Sequence, residues 1–315
     1  MSSLTADPNR RLKVVASLAA VYLVWGSTYL GIRIAIETWP PLIMAGGRFL
    51  LAGLSLYVWE RGRGTPKPVP AQWRSATITG ALLITLGNGG VTLAAAIVPS
   101  GLIALLLAVT PLWMVLFDLW WGNKIQLRKR VWVGVGLGFV GAGLLVAPGR
   151  FGGGEHVHLF GAVALAVASI AWAGGSLLTR QGQLPSRQLL ATGMQLMAGG
   201  GLLLIVAAGM GELGRFSFVH LSLRSTLATF YLMIFSSLIA YCAYAYLLRT
   251  TSMAVVSTYG YVNPLIAVVL GAWLGGESVS LRMVAAGVAI IAGVVLIILA
   301  PAPRPSEPVE PVEPV

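Results

Sequence analysis

Apolar residues in this chain neither alternate nor keep to one helical face; they run on. Near-continuous stretches, each close to the roughly 20 residues that a bilayer-spanning helix needs, cover about 12–33, 41–59, 74–96, 98–120 and 130–147, then about 158–179, 188–210, 224–248, 252–274 and 281–300. Polar residues cluster between them, and the third and fourth stretches are parted only by the turn Val98-Pro99-Ser100-Gly101. Unbroken runs exclude a transmembrane β-barrel, whose strands alternate with period two. The pattern predicts an all-α polytopic membrane protein with ten spans.

The pattern also occurs twice. Val24-Trp25-Gly26-Ser27 through Arg33 and Arg48 returns as Ala171-Trp172-Ala173-Gly174 through Arg180 and Gln195, at a constant spacing of 147 residues. Pro111, Gly122, Lys124 and Gly134 answer to Pro264, Gly275, Glu277 and Gly287 at a spacing of 153. The second copy has therefore gained 6 residues, most simply in the stretch Gly211 to Ser222. The predicted organisation is a leader at 1–11, a first repeat at 12–147, a second at 158–300 and a low-complexity, disordered tail at 301–315. The leader is polar, and the first span is too long and too poor in small residues at its end to be a removable signal. A duplicated apolar unit is the mark of a carrier whose substrate site lies between its copies.

Composition agrees with the pattern, because 57% hydrophobic and 10% charged residues cannot be divided into a soluble domain's core and wetted surface. The formal charge of +11 is largely topological. With the N-terminus in the cytoplasm, 15 Lys and Arg fall in inner segments and 5 in outer ones, the bias expected of an inner-membrane protein with both termini cytoplasmic. Five spans per copy, an odd number, then make the repeats inverted. No nucleic-acid partner is needed to explain the charge. The single cysteine, Cys242, excludes an intramolecular disulfide or a cysteine metal cluster. Gly134-Val135-Gly136-Leu137-Gly138 follows no strand and is no nucleotide fingerprint, and the chain lacks a Walker motif.

Seven ordered motifs carry a resemblance: Val24-Trp25-Gly26-Ser27-Thr28-Tyr29, Trp39-Pro40-Pro41, Gly46-Gly47-Arg48-Phe49, Gly87-Asn88-Gly89, Val98-Pro99-Ser100-Gly101, Thr110-Pro111-Leu112 and Tyr261-Val262-Asn263-Pro264. Through them the chain resembles the EamA family of the drug/metabolite transporter superfamily over roughly residues 12–300. That resemblance implies a ten-helix, inverted-repeat secondary carrier that exports metabolites or amino acids, with a central cavity between the halves. One departure stands out: many relatives carry Glu-Gln before the Val-Pro-Ser-Gly turn, where this chain has Ala95-Ala96. Any proton or substrate role of that acid has no carrier at this turn.

Candidate site residues follow from what lipid penalises. Arg48 lies about seven residues into its span, roughly 10 Å deep at 1.5 Å per residue, where a charge costs about 2.5 to 3.5 kcal/mol. It reads either as an anchor for a substrate carboxylate or as a snorkelling or carbonyl-capping side chain. Pro111 and Pro264 occupy equivalent mid-span positions and free the carbonyls of Leu107 and Gly260, which suits a cavity-lining hinge or a static, packed kink. Asn88, among glycines, is a substrate contact or interhelical glue. Trp25 and Trp172 are paired by the repeat and lie mid-span, away from the usual interfacial belt; they read as aromatic walls of a cavity or as core packing. Tyr241, which aligns with Asn88, and Tyr259 and Asn263 complete the set. Asp118, the one carboxylate within a span, is a coupling group or a partner of the nearby Lys124–Arg130 cluster.

These readings predict a secondary exporter of small amphipathic metabolites, most of all amino acids and related compounds, working by alternating access. The runner-up is a lipid or polyprenyl-carrier flippase with a lateral opening. An enzyme is not expected, since no carboxylate pair, Ser/His pair or metal-ligand cluster reaches the membrane interior. Expected partners are a small-molecule substrate, membrane lipids and, as a homodimer, a second copy of the chain, with no cofactor or metal.

Overall fold

The computed structural model describes residues 8–121, 129–146, 159–251, 253–256 and 258–298. The regular elements among the described residues are all helices, with no strand. The first copy supplies α1 (Pro8–Ala35), α2 (Pro41–Gly62), α3 (Pro70–Ala95), α4 (Ser100–Leu107), α5 (Thr110–Trp121) and α6 (Lys129–Val146). The second supplies α7 (Leu159–Gln181), α8 (Gln188–Gly209), the short α9 (Glu212–Arg215), α10 (Leu223–Thr250), α11 (Met253–Val256), α12 (Tyr259–Leu274) and α13 (Leu281–Ile298). Six of these are long and apolar enough to cross a membrane, namely α1, α2, α3, α7, α8 and α10. Shorter apolar helices cover Ser100–Met114, Trp132–Leu145, Val262–Leu274 and Leu281–Gly293.

The two copies pack through each other. α2 lies against α8 and α6 against α13, so equivalent helices meet at a common axis. α1 packs on α10 and α12, while its counterpart α7 packs on α3, α4 and α5. This exchange is what two inverted copies produce when each leaves an apolar face that only the other can cover. At the α2–α8 crossing the backbones touch. A Cβ on Gly53 would stand 2.5 Å from the Met197 nitrogen, and one on Gly200 would stand 2.6 Å from the Leu50 nitrogen. Gly46 likewise opposes Gly200, and Gly53 opposes Gly193, which makes the two helices antiparallel. Without a hydrophobic effect between helices in lipid, such close approach and the dispersion contacts it allows are the main adhesive.

The α8–α10 connection, to which the repeat spacing most simply assigns the gained residues, has a structural task. It includes Glu212, which is buried and whose carboxylate accepts from the Leu42 and Ile43 backbone N–H groups, each at 2.9 Å. Those are orphan donors at the start of α2, where Pro40 and Pro41 offer no side-chain cap.

Two features escape the hydropathy pattern. α3 carries a π-helical stretch at Ala81–Asn88, and α10 carries one at Leu232–Ala240, nearly the same place in its copy. Such wide turns shift side-chain phase within a helix. The second concerns the prolines. The fourth span is interrupted at Ala108 and Val109, just ahead of Pro111, as expected of a break. Pro264 differs, because it sits inside the continuous helix α12, whose start at Tyr259 places the interruption farther upstream. The reason is local. The Thr110 hydroxyl donates to the Leu107 carbonyl at 2.6 Å, closing a tight turn ahead of the proline, and Asn263 at the equivalent place makes no such bond.

Candidate functional site

A cavity of about 70 Å³, measured to the centres of water-sized spheres, lies where the copies meet. The first copy lines it with Trp25, Thr28, Tyr29, Asn88 and Thr110 among others, and the second with Trp172, Ser236, Tyr241, Tyr259, Asn263 and Pro264. It therefore gathers six of the seven residues that the sequence singled out for a substrate, leaving out Arg48. Among the described residues no charged side chain is on its wall.

One wall is an aromatic cluster. Trp25 and Trp172 meet edge to face with ring centroids 5.3 Å apart, and Tyr241, Tyr244 and Tyr259 stand 6.5, 4.9 and 5.6 Å from Trp25. The T-shaped geometry matches a positive ring edge to a neighbour's negative face. The cluster is held by hydrogen bonds at its margins. The Tyr244 hydroxyl shares a 2.6 Å bond with that of Ser176, whose own Oγ also donates to the Trp172 carbonyl. The Trp25 ring N–H donates to the Ser236 carbonyl at 3.5 Å, inside the π-helical stretch of α10. The Thr28 hydroxyl meets that of Ser236 at 3.1 Å. Sequence reasoning passed over Tyr244, Ser236 and Ser169. A signal existed for Tyr244, which lies three residues from Tyr241 and so on the same helical face. Ser236 is brought to the cavity by the π-helical stretch, which no apolar run reveals.

Arg48 lies one layer behind the wall. It is 2% exposed, and its guanidinium donates to the Ser237 hydroxyl at 2.9 Å and to Asn88 Oδ1 at 3.5 Å, packed 4.0 Å over the Phe49 ring. It does not snorkel. Asn88 in turn donates to the Leu83 carbonyl at 3.2 Å, so both ends of its amide are engaged. Thr110 is engaged too, meeting the Ser169 hydroxyl at 3.0 Å as well as the Leu107 carbonyl. The two proline regions touch: a Cβ on Gly260 would stand 2.7 Å from the Pro111 ring. Asp118 falls within α5, and its side chain is outside the described residues. Among the described residues no group of His, Cys, Asp and Glu could hold a metal ion.

This architecture has known relatives. The model of the EamA-like transporter family matches residues 12–147 and again 159–299. The chain belongs to the EamA-like transporter family. Over 290 residues it is 40% identical to the uncharacterized inner membrane transporter YedA of Escherichia coli (strain K12), with 91% of each chain covered. It is 30% identical over 250 residues to protein PecM of Dickeya dadantii (strain 3937), spanning 79% of this chain and 80% of that one. A crystal structure 17% identical in sequence superposes with a TM-score of 0.64 over 91% of this chain and 96% of its own, which speaks to the fold alone. This EamA protein is a multi-pass membrane transporter, and the family and its relatives agree with a carrier's role.

Proposed function

We propose that this EamA protein is a secondary exporter of small amphipathic metabolites, amino acids and related compounds among them, that works by alternating access at the cavity between its copies. The observation that carries the reading is that both copies furnish the wall, Trp25 and Asn88 from one and Trp172 and Asn263 from the other. A site shared by two packed units changes shape when the units rock against each other, and this is how inverted-repeat carriers expose one site to two sides. The contact of Pro111 with Gly260 supports a hinge there, since each proline region already lacks a full set of helical hydrogen bonds. The six long spans and four shorter apolar helices support ten crossings, and the 15 to 5 bias of Lys and Arg supports both termini in the cytoplasm.

Counterflow in proteoliposomes against a pooled metabolite panel, with and without a pH gradient, tests the function. Exchange of at least one metabolite is expected, lost on Trp25→Ala and on Trp172→Ala. Scrambling of a fluorescent lipid without metabolite exchange would replace the exporter with a flippase. Reporter fusions test the topology. Those after Pro303 and within 62–70 should read cytoplasmic and one at Gly152 periplasmic; Pro303 and Gly152 lie outside the described residues.

A further inference from the structure

Two pairs of polar positions on the cavity wall are repeat-related, and within each pair the members are unequal. Asn88 is equivalent to Tyr241, and Thr110 to Asn263. In the first copy each polar atom has a protein partner: Asn88 binds the Leu83 carbonyl and Arg48, and Thr110 binds the Leu107 carbonyl and Ser169. In the second copy the partners are missing. Asn263 is 2% exposed with neither its Oδ1 nor its Nδ2 hydrogen-bonded, and Tyr241 is 2% exposed with its hydroxyl unbonded. Buried polar atoms are nearly always paired, and leaving them unpaired is costly. With the equally unbonded Trp172 ring N–H, four such atoms belong to residues lining one cavity, a set of hydrogen bonds awaiting a partner that is not protein.

The chemistry of those atoms describes the partner. A carboxamide offers a donor and an acceptor side by side in one plane. Its full complement is a second group with a donor next to an acceptor, as where Asn reads N6–H and N7 of adenine, and an amide meets this with its N–H beside its carbonyl. Among the described residues the wall carries no charged side chain, and a charge docked there would lose water without gaining a counter-charge from them. Flanking rings at Trp25, Trp172 and Tyr259 offer faces to a flat molecule. We propose that the cargo carries an uncharged amide edge, a primary carboxamide or a lactam, and that Asn263 reads this edge while the Tyr241 hydroxyl takes a further bond. Recognition is then assigned to the second copy, with the first supplying a satisfied wall. This rests on the cavity being the carrier's substrate site, and it narrows the substrate class.

Equilibrium binding to the purified full-length carrier tests it, with nicotinamide and uracil as probes against N,N-dimethylnicotinamide, 1,3-dimethyluracil and nicotinate. At least one of the two amide probes should bind, and its methylated counterpart should bind at least about a hundredfold more weakly, because a site built to hydrogen-bond rejects an analogue that leaves it unpaired. Asn263→Leu should erase that discrimination. Asn263→Thr, the first copy's own choice at this place, guards against a folding failure and should have the same effect; Tyr241→Phe should weaken amide binding about tenfold. Equal binding of the methylated probes, silence of both amides, or discrimination that survives in Asn263→Thr would overturn the proposal, the last meaning that the unpaired atoms merely hold water. Exporter and inference fail separately. Counterflow of any metabolite that Asn263→Thr leaves untouched sinks the inference and spares the carrier, whereas amide binding without counterflow does the reverse.

Discussion

The α2–α8 crossing and the buried residue beside it were duplicated together and have fared differently. At the crossing, Gly46 and Gly53 of one copy meet Gly200 and Gly193 of the other in matching pairs. Two residues past Gly46 the match is lost: Arg48 is answered by Gln195. Both side chains are buried and both donate two bonds, Arg48 to Ser237 and Asn88, Gln195 to Thr79 at 2.9 Å and Thr179 at 2.8 Å. The scaffold thus asks for a buried donor at this place in each copy and does not ask for charge. Where backbone meets backbone no side chain fits, so duplication is preserved; where only a donor is required, one copy was free to acquire a guanidinium next to the cavity.

That comparison is broken most directly at the crossing. Gly53→Leu and Gly200→Leu should each destabilise by about 3 kcal/mol or more, since the obstacle is backbone and cannot turn aside. Their effects should be alike. Thermal unfolding in detergent reads them, with Gly47→Ala as the control, because nothing lies within 4 Å of a Cβ at Gly47. A large cost for one leucine and none for the other would end the claim that the axis is symmetric.

Arg48 sharpens the other half. A buried guanidinium with no carboxylate beside it among the described residues is expensive to desolvate, and the neutral Gln195 fills the equivalent place with two hydrogen bonds of its own. Arg48→Gln should therefore hold or raise the melting temperature while lowering transport about tenfold, the signature of a residue kept for function at the expense of stability. If melting falls and transport per folded molecule is unchanged, Arg48 is glue between α2, α3 and α10.

How much of this was legible in the sequence depends on which force placed each residue. The apolar runs follow from lipid's intolerance of unpaired backbone, and they located every long helix, with ends that differ by a few residues. The repeat spacing paired Trp25 with Trp172 before any coordinate did, and the two rings touch. What stayed hidden is local hydrogen bonding. Whether Asn88 is satisfied while Asn263 is not depends on Arg48 and on the Leu83 carbonyl of its own π-helical stretch. Pro111 and Pro264, equivalent in sequence, differ locally for the same reason, because a threonine hydroxyl closes one turn and an asparagine leaves the other alone. The task of Glu212 was equally silent, since a capping carboxylate and a loop carboxylate look the same until the α2 start is placed beside it.

The smallest effect is expected from the proton gradient, and its smallness is informative. A carrier couples to protons only if some group binds one differently in its two states, and among the described residues the cavity wall carries no carboxylate or histidine. The buried carboxylates among the described residues are occupied as fasteners at the ends of helices. Glu277 accepts from the Ser100 and Gly101 backbone at 2.8 and 3.0 Å and pairs with Arg33, Glu212 caps α2, and Glu60 accepts from Thr65. With Ala95 and Ala96 at the turn where the family resemblance implies Glu-Gln in many relatives, transport should persist when the proton gradient is collapsed. Asp118→Asn should behave as the native chain does. The measurement is substrate flux in proteoliposomes across pH 6 to 8 for both forms. If neither accumulates substrate against its gradient and both exchange it equally, the carrier is a facilitator driven by its cargo. If Asp118→Asn loses gradient-driven accumulation yet keeps counterflow, Asp118 is the coupling residue, and the asymmetry between the copies extends to energy as well as recognition.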